Sequence, residues 1–132
     1  MNYRAAIACT ALALAGPALA HHSFAMFDSD HQIRLHGEVT EFIWQNPHVY
    51  LHMKAPDAKG KIREWTIECA NPGILNRTGW KFNMIKKGDT VTAVVAPLRT
   101  GEPGALLKQI KLADGRKFGN GGPAGPASIP ID

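Results

Sequence analysis

Between Ile33 and Cys69, apolar side chains fall on every second residue in three short runs. Ile33, Leu35, Gly37 and Val39 alternate with Arg34, His36, Glu38 and Thr40. Val49, Leu51 and Met53 alternate with His48, Tyr50 and His52. Trp65, Ile67 and Cys69 alternate with Glu64, Thr66 and Glu68. A two-residue period puts one side of an extended chain in a core and the other in water, so these runs read as half-buried β-strands. Turn residues separate them: Asn46-Pro47 and the Pro56 to Gly60 segment. The first run slips by one place before Phe42 and Trp44. A slip of one residue is the mark of a β-bulge, which bends a strand.

The pattern then changes. Asn71 suits an N-cap, Pro72 the first helical position and Gly79 the end of a short helix. Lys86-Lys87-Gly88-Asp89 is a turn. Val91, Ala93 and Val95 mark a fourth strand, and Leu106, Ile110 and Leu112 a fifth that ends at Asp114-Gly115. Three strands, a helix and two strands is the element order of an OB-fold, a five-stranded Greek-key barrel. The expected fold is therefore all-β with one short helix, a small OB-like barrel. A small open β-sandwich is the alternative.

The amino end reads as a leader. Met1-Asn2-Tyr3-Arg4 carries one positive charge, residues 5–15 are apolar or small except Thr10, and Gly16-Pro17 precedes Ala18-Leu19-Ala20. These are the charged region, apolar region and cleavage site of a secretory signal peptide. The apolar run is shorter than the about 20 residues that a membrane span needs. The expected organisation is a signal peptide at 1–20, a histidine-rich arm at 21–32, a barrel at 33–118, and a disordered Gly/Pro-rich tail at 119–132 that the fold does not require. The mature chain is expected to be soluble, in the periplasm or secreted, with no transmembrane segment.

The full chain carries a formal net charge of +4. Its cations are scattered and make no polybasic run. Nucleic acid is not the expected partner of such an exported chain. Cys9 lies within the leader, which leaves Cys69 as the one cysteine of the mature chain and excludes an internal disulfide. A lone thiol of this kind reads as buried and inert.

His21-His22-Ser23-Phe24, Gly37-Glu38-Val39, Asn46-Pro47-His48-Val49, Gly79-Trp80 and Gly88-Asp89-Thr90-Val91, in this order, resemble a family of small exported bacterial proteins designated domain of unknown function 6152. The resemblance runs from about His21 to Lys117. It implies a periplasmic or secreted protein, and it implies no activity.

Cleavage after Ala20 frees the amino group of His21. That amine and the His21 ring can chelate one metal ion, and a further histidine completes a three-nitrogen site suited to copper. His22 and His48 are the candidates, with Glu68 holding His48. A solvated or packed arm is the plainer reading of His21 and His22, with Phe24 and Phe27 docking it on the barrel. His48 and His52 lie ~13 Å apart along one strand, so they cannot share a mononuclear site. If Leu51 faces Trp65 across the second and third strands, His48 lies opposite Glu68 and His52 opposite Glu64. Two cross-strand charge pairs then account for these residues. His31 and His36 read as surface.

No serine-nucleophile motif, phosphate-binding glycine loop or paired-cysteine zinc pattern is present, so hydrolytic chemistry is not expected. Trp44 and Tyr50 are left as a thin stacking face once Trp65 is placed in the core. The leading reading is a small exported binding or accessory protein whose ligand is a small molecule or a partner protein. The alternative is a copper carrier or sensor, and less readily an oxidase. N-terminal sequencing of the exported protein should begin at His21. A start at Met1 or beyond Ser23 would remove the leader assignment.

Overall fold

The computed structural model describes residues 24–132. The leader, His21 and His22 lie outside the described residues. A 3-10 turn at Phe24–Met26 leads into β1 (Ile33–Ile43), β2 (Tyr50–Pro56) and β3 (Ile62–Glu68). After them come α1 (Pro72–Arg77), β4 (Thr90–Pro97), β5 (Gly104–Lys111) and the short β6 (Lys117–Gly119). Among the described residues, no helix is long and apolar enough to cross a membrane.

The strands form one sheet in the order β3-β2-β1-β4-β5-β6, and β3 also pairs with β5. That last pairing is parallel, Thr66 with Gly104, Ile67 with Ala105 and Glu68 with Leu106, and it closes the first five strands into a barrel. The OB-like arrangement is thus present, with α1 between β3 and β4, and the open sandwich is not. β6 is an addition on the far side of β5 that the alternation did not reveal.

β1 serves both halves of the barrel. Its first half pairs with β4 and its second half with β2, the two meeting at Glu38. The register against β2 shifts between Val39 and Glu41, where the slip in the apolar pattern foretold a bulge. Gly37 sits at the bend. A Cβ there would lie 1.8 Å from the Lys54 carbonyl oxygen, so only glycine lets β2 approach this closely.

Leu35, Val39, Val49, Leu51, Met53, Trp65, Ile67 and Cys69 are all buried, as their alternation requires. The Trp65 indole N–H donates to the Ala55 carbonyl at 3.2 Å. Trp80 is fully buried as well. It closes one end of the barrel, stacks on Phe42 and donates its indole N–H to the Gly119 carbonyl at 2.9 Å. α1 begins as its residues dictate, with the Asn71 side-chain oxygen accepting the Ile74 N–H at 2.8 Å and Pro72 in the first turn.

The β2–β3 register differs from the expected one by two residues. Leu51 faces Ile67, Met53 faces Trp65, His52 faces Thr66 and Lys54 faces Glu64. The expected His52–Glu64 pair is therefore absent. The Asp57 turn sets the offset: its carboxylate accepts the N–H groups of Lys59 and Lys61, and its own N–H donates to the Lys61 carbonyl.

The tail is a second correction. Residues 119–132 lie on the barrel instead of leaving it. The outer face of β4 and β5 presents Val94, Ala96 and Leu106, all buried, and Phe27 and Ala124 cover part of it. Gln32 and Arg34 donate to the Pro126 and Pro130 carbonyls, and Ile131 is only 4% exposed. The Asp132 carboxylate pairs with Lys117 and Lys111. The tail has little apolar content of its own, but an apolar strand face and a row of donors are available to it. Deleting residues 120–132 should therefore lower folding stability by roughly 2–5 kcal/mol, from the lost burial of Ile131 and the unpaired partners left behind. A denaturation midpoint unchanged by the deletion would restore the view that the tail is dispensable.

Candidate functional site

The candidate site lies where β3 meets β5. Glu68 ends β3 beside Leu106, and His48 stands just before β2 begins. The His48 Nε2 lies 3.4 Å from Glu68 Oε1. His48 Nδ1 lies 3.3 Å from the Cys69 carbonyl oxygen. A carbonyl only accepts, so Nδ1 carries the proton of that hydrogen bond and Nε2 is turned toward the carboxylate. In the neutral ring Nε2 offers a lone pair to Glu68. The contact is attractive only when a proton or another cation lies between the two.

This pair forms one wall of a cavity of about 190 Å³. Phe24, Ile74, Leu106 and Ala124 make the apolar walls, and Asn71 and Asn120 are the further polar side chains that line it. The walls therefore come from the N-terminal arm, the barrel, α1 and the tail together. Asn120 is fixed rather than offered: its side-chain oxygen accepts the Ala70 N–H at 2.7 Å. A second hollow of about 160 Å³ lies on the other side of Glu68, bounded by Met26, Phe27, Tyr50 and Leu98. Burial, with the Glu68 carboxylate nearby, raises the pKa of Tyr50.

The expected pairing of His48 with Glu68 is present, although the expected register is not. The chain brings them together from the loop before β2, where Tyr50 and not His48 stands opposite Glu68. Glu68 faces Nε2, while the Cys69 carbonyl orients the ring through Nδ1. The other described histidines stand elsewhere: His31 against Asp28, His36 against Thr92 and His52 against Thr66. Among the described residues no group of three or more His, Cys, Asp or Glu is placed to hold a metal ion.

Trp44 and Tyr50 do not form one stacking face. Trp44 packs edge-on against Phe42 and the barrel core, while Tyr50 contacts His48 and lines the second hollow. Phe27 docks the arm as expected: it is 6% exposed and bridges to Leu98. Sequence reasoning missed Asn120, Leu106 and Ala124 as parts of the site. No local pattern marks them, because only the β3–β5 closure and the tail's return bring them there.

Cys69 is buried beneath this site. Burial, and then the Glu68 charge, push its thiol well above the ordinary range. In the unfolded chain the thiol would ionise within that ordinary range, so the folded state holds its proton longer. Stability should consequently fall as pH rises past the ordinary thiol pKa, and Cys69→Ser should remove that part of the decline. Thiol reagents at neutral pH should modify the folded chain far more slowly than the unfolded one. Rapid labelling of native protein would contradict the burial.

Comparison with other proteins gives three findings. No curated protein matches the chain. The mitochondrial single-stranded DNA-binding protein Rim1 of S. cerevisiae, a solved structure, is similar at 18% identity with a TM-score of 0.47, covering 63% of this chain and 93% of that one. The family described as a family of unknown function, DUF6152, matches residues 8–108, which carry β1 to β4, α1 and most of β5, so the chain belongs to that family.

Proposed function

We propose that the protein is an exported binding or accessory protein whose ligand is a small, largely apolar molecule bearing one polar group. The observation that carries this reading is the cavity of about 190 Å³ with apolar walls and the His48–Glu68 pair at one side. Small-molecule sites are typically concave and apolar, with a few polar groups that fix orientation. A closed apolar cavity of about 150 Å³ accepts benzene, so a ring with one hydroxyl is of suitable size. A hydroxyl beside Glu68 can donate to its carboxylate and accept from an imidazolium.

Phenol is a direct probe. Titration followed by heteronuclear NMR should shift the signals of Phe24, Ile74 and Ala124. Ala124→Phe should fill the cavity and abolish those shifts with the fold retained. Glu68→Gln should weaken phenol and leave benzene unaffected. Phenol shifts confined to residues away from this cavity would end the small-ligand reading.

A second reading is favoured by the position of Phe24. It lines the same cavity as His48, and His21 precedes it by three residues, a reach of at most about 10 Å. His48 Nε2 and Glu68 already face one another as a cation would require. In this reading the mature protein is a copper carrier or sensor. It binds one Cu(II) through the His21 amine, the His21 ring and His48, with His22 as the other candidate and Glu68 on the metal side. Affinity should fall with pH as the amine and imidazoles take up protons. Copper should be titrated into the cleaved protein and into a form with one glycine added before His21. Weaker binding by the extended form is expected, and equal affinities would eliminate the site.

A further inference from the structure

Four cations lie within eleven residues of one another, Arg77 at the end of α1 and Lys81, Lys86 and Lys87 in the loop that joins it to β4. Residues 71–88 contain no acidic residue. Within them Arg77, Lys81, Lys86 and Lys87 are all exposed. Phe82 stands among these cations and is 68% exposed, more than Phe24, Met26 or Ile62.

Its exposure is built in. Trp80 on one side is fully buried and Ile85 on the other is 4% exposed, so the chain between them must arch outward. The Met84 N–H donates to the Lys81 carbonyl at 3.2 Å, and the Met84 sulfur accepts the Lys81 N–H at 3.2 Å. That turn holds Phe82 outside the core. Asp89, the next acid along the chain, is half-buried and engaged, its carboxylate accepting the Lys86 N–H at 2.9 Å. It therefore faces the loop backbone.

We propose that the loop joining α1 to β4 docks the protein on an anionic lipid bilayer, with Phe82 entering the headgroup region and Lys81, Lys86 and Lys87 meeting lipid phosphates. Charge complementarity selects the occupant. Four exposed cations with no acid between them in the sequence suit a surface of many negative charges. A single ring at the crest of a convex turn suits a surface that deforms around it. An acidic protein partner would need a concave pocket of matching shape for Phe82. Phenylalanine is among the side chains that interfacial segments bury at the boundary of headgroups and acyl chains, and long lysine side chains reach charged headgroups while their stems lie against apolar surface. Juxtamembrane cations each add to binding at an anionic leaflet, and the attraction decays within a Debye length. The inference is independent of what fills the cavity at His48.

The test uses the mature chain and sedimentation with vesicles of phosphatidylcholine alone or of equal parts phosphatidylcholine and phosphatidylglycerol. Binding should require phosphatidylglycerol and weaken with added salt. The combined variant Lys81→Gln, Lys86→Gln, Lys87→Gln should bind about 100-fold more weakly, the ratio equivalent to ~1 kcal/mol per cation. Phe82→Ser should reduce binding about tenfold with the charge unchanged, from the lost burial of the ring. A control removes the same charge on β2 and the turn that follows it: Lys54→Gln, Lys59→Gln, Lys61→Gln. That variant should bind nearly as well as the parent. Equal loss in the control would reduce the effect to net charge and overturn the proposal. So would binding to phosphatidylcholine alone at equal strength, or full binding by Phe82→Ser. Absence of binding to either vesicle, as an acidic protein partner would give, overturns it too.

Discussion

The parallel pairing of β3 with β5 is the contact on which the rest of the architecture depends. It joins Thr66, Ile67 and Glu68 to Gly104, Ala105 and Leu106. Without it the sheet would be open, with β3 as an unpaired edge and Trp65 and Ile67 facing a core with one side missing. With it, the inner residues of all five strands seal one another from water. The same pairing sets Glu68 beside Leu106. It therefore fixes the wall of the cavity against which His48, arriving from the loop before β2, comes to rest. Gly104 makes room for the Leu98 side chain, which a Cβ there would meet at 2.5 Å.

Closure seals the inside of the barrel but leaves an apolar outer face on β4 and β5. The two ends of the described chain converge on it. Phe27 arrives from the arm and Ala124 from the tail, and both pack with Ala96 and Leu106. Ordering a tail of this length loses much conformational entropy. Burial of Ile131 and hydrogen bonds from Gln32, Arg34 and Ser128 offset that loss. Lys108 is the least expected member of this layer. Val94 pairs with Gln109 and Val95 with Leu107, so Lys108 is the extra residue of a bulge. It is 3% exposed, and burial lowers its pKa. The Ala124 carbonyl accepts from its ammonium group, which meets the need of a buried cation for a hydrogen bond.

What was legible in the sequence was local. Period-two alternation placed Leu35, Val39, Leu51, Met53, Trp65 and Ile67 inside, and the slip before Phe42 placed the bulge. Asn71-Pro72 placed the helix start. Each signal is carried by neighbours within a few residues, so one sequence suffices. The β2–β3 register was not legible. A two-residue offset keeps every side chain on its face, and only the turn chemistry at Asp57 decides between such registers. The docking of the tail was missed for a related reason. Glycine and proline content describes what a segment can do alone, whereas its partner is a strand face formed by distant residues. His48 and Glu68 were paired from a register that proved different. Their meeting survives because Val49 hydrogen-bonds to Cys69 and Ala70, which holds the neighbouring His48 ring over Glu68 and the Cys69 carbonyl.

The cavity has a thermodynamic consequence that follows from the origin of its walls. Phe24 belongs to the arm, Gly121 and Ala124 to the tail, and Leu106 and Glu68 to the closed barrel. The hollow is complete only when both ends are docked. Any occupant that touches all three groups binds the docked state better than a state with either end released. It therefore shifts that equilibrium by its differential affinity, and by no more than that. The arm and tail need not be rigid in advance for this to hold. Ligand binding and the order of the two chain ends are one equilibrium, and it is set at the point where β3 meets β5.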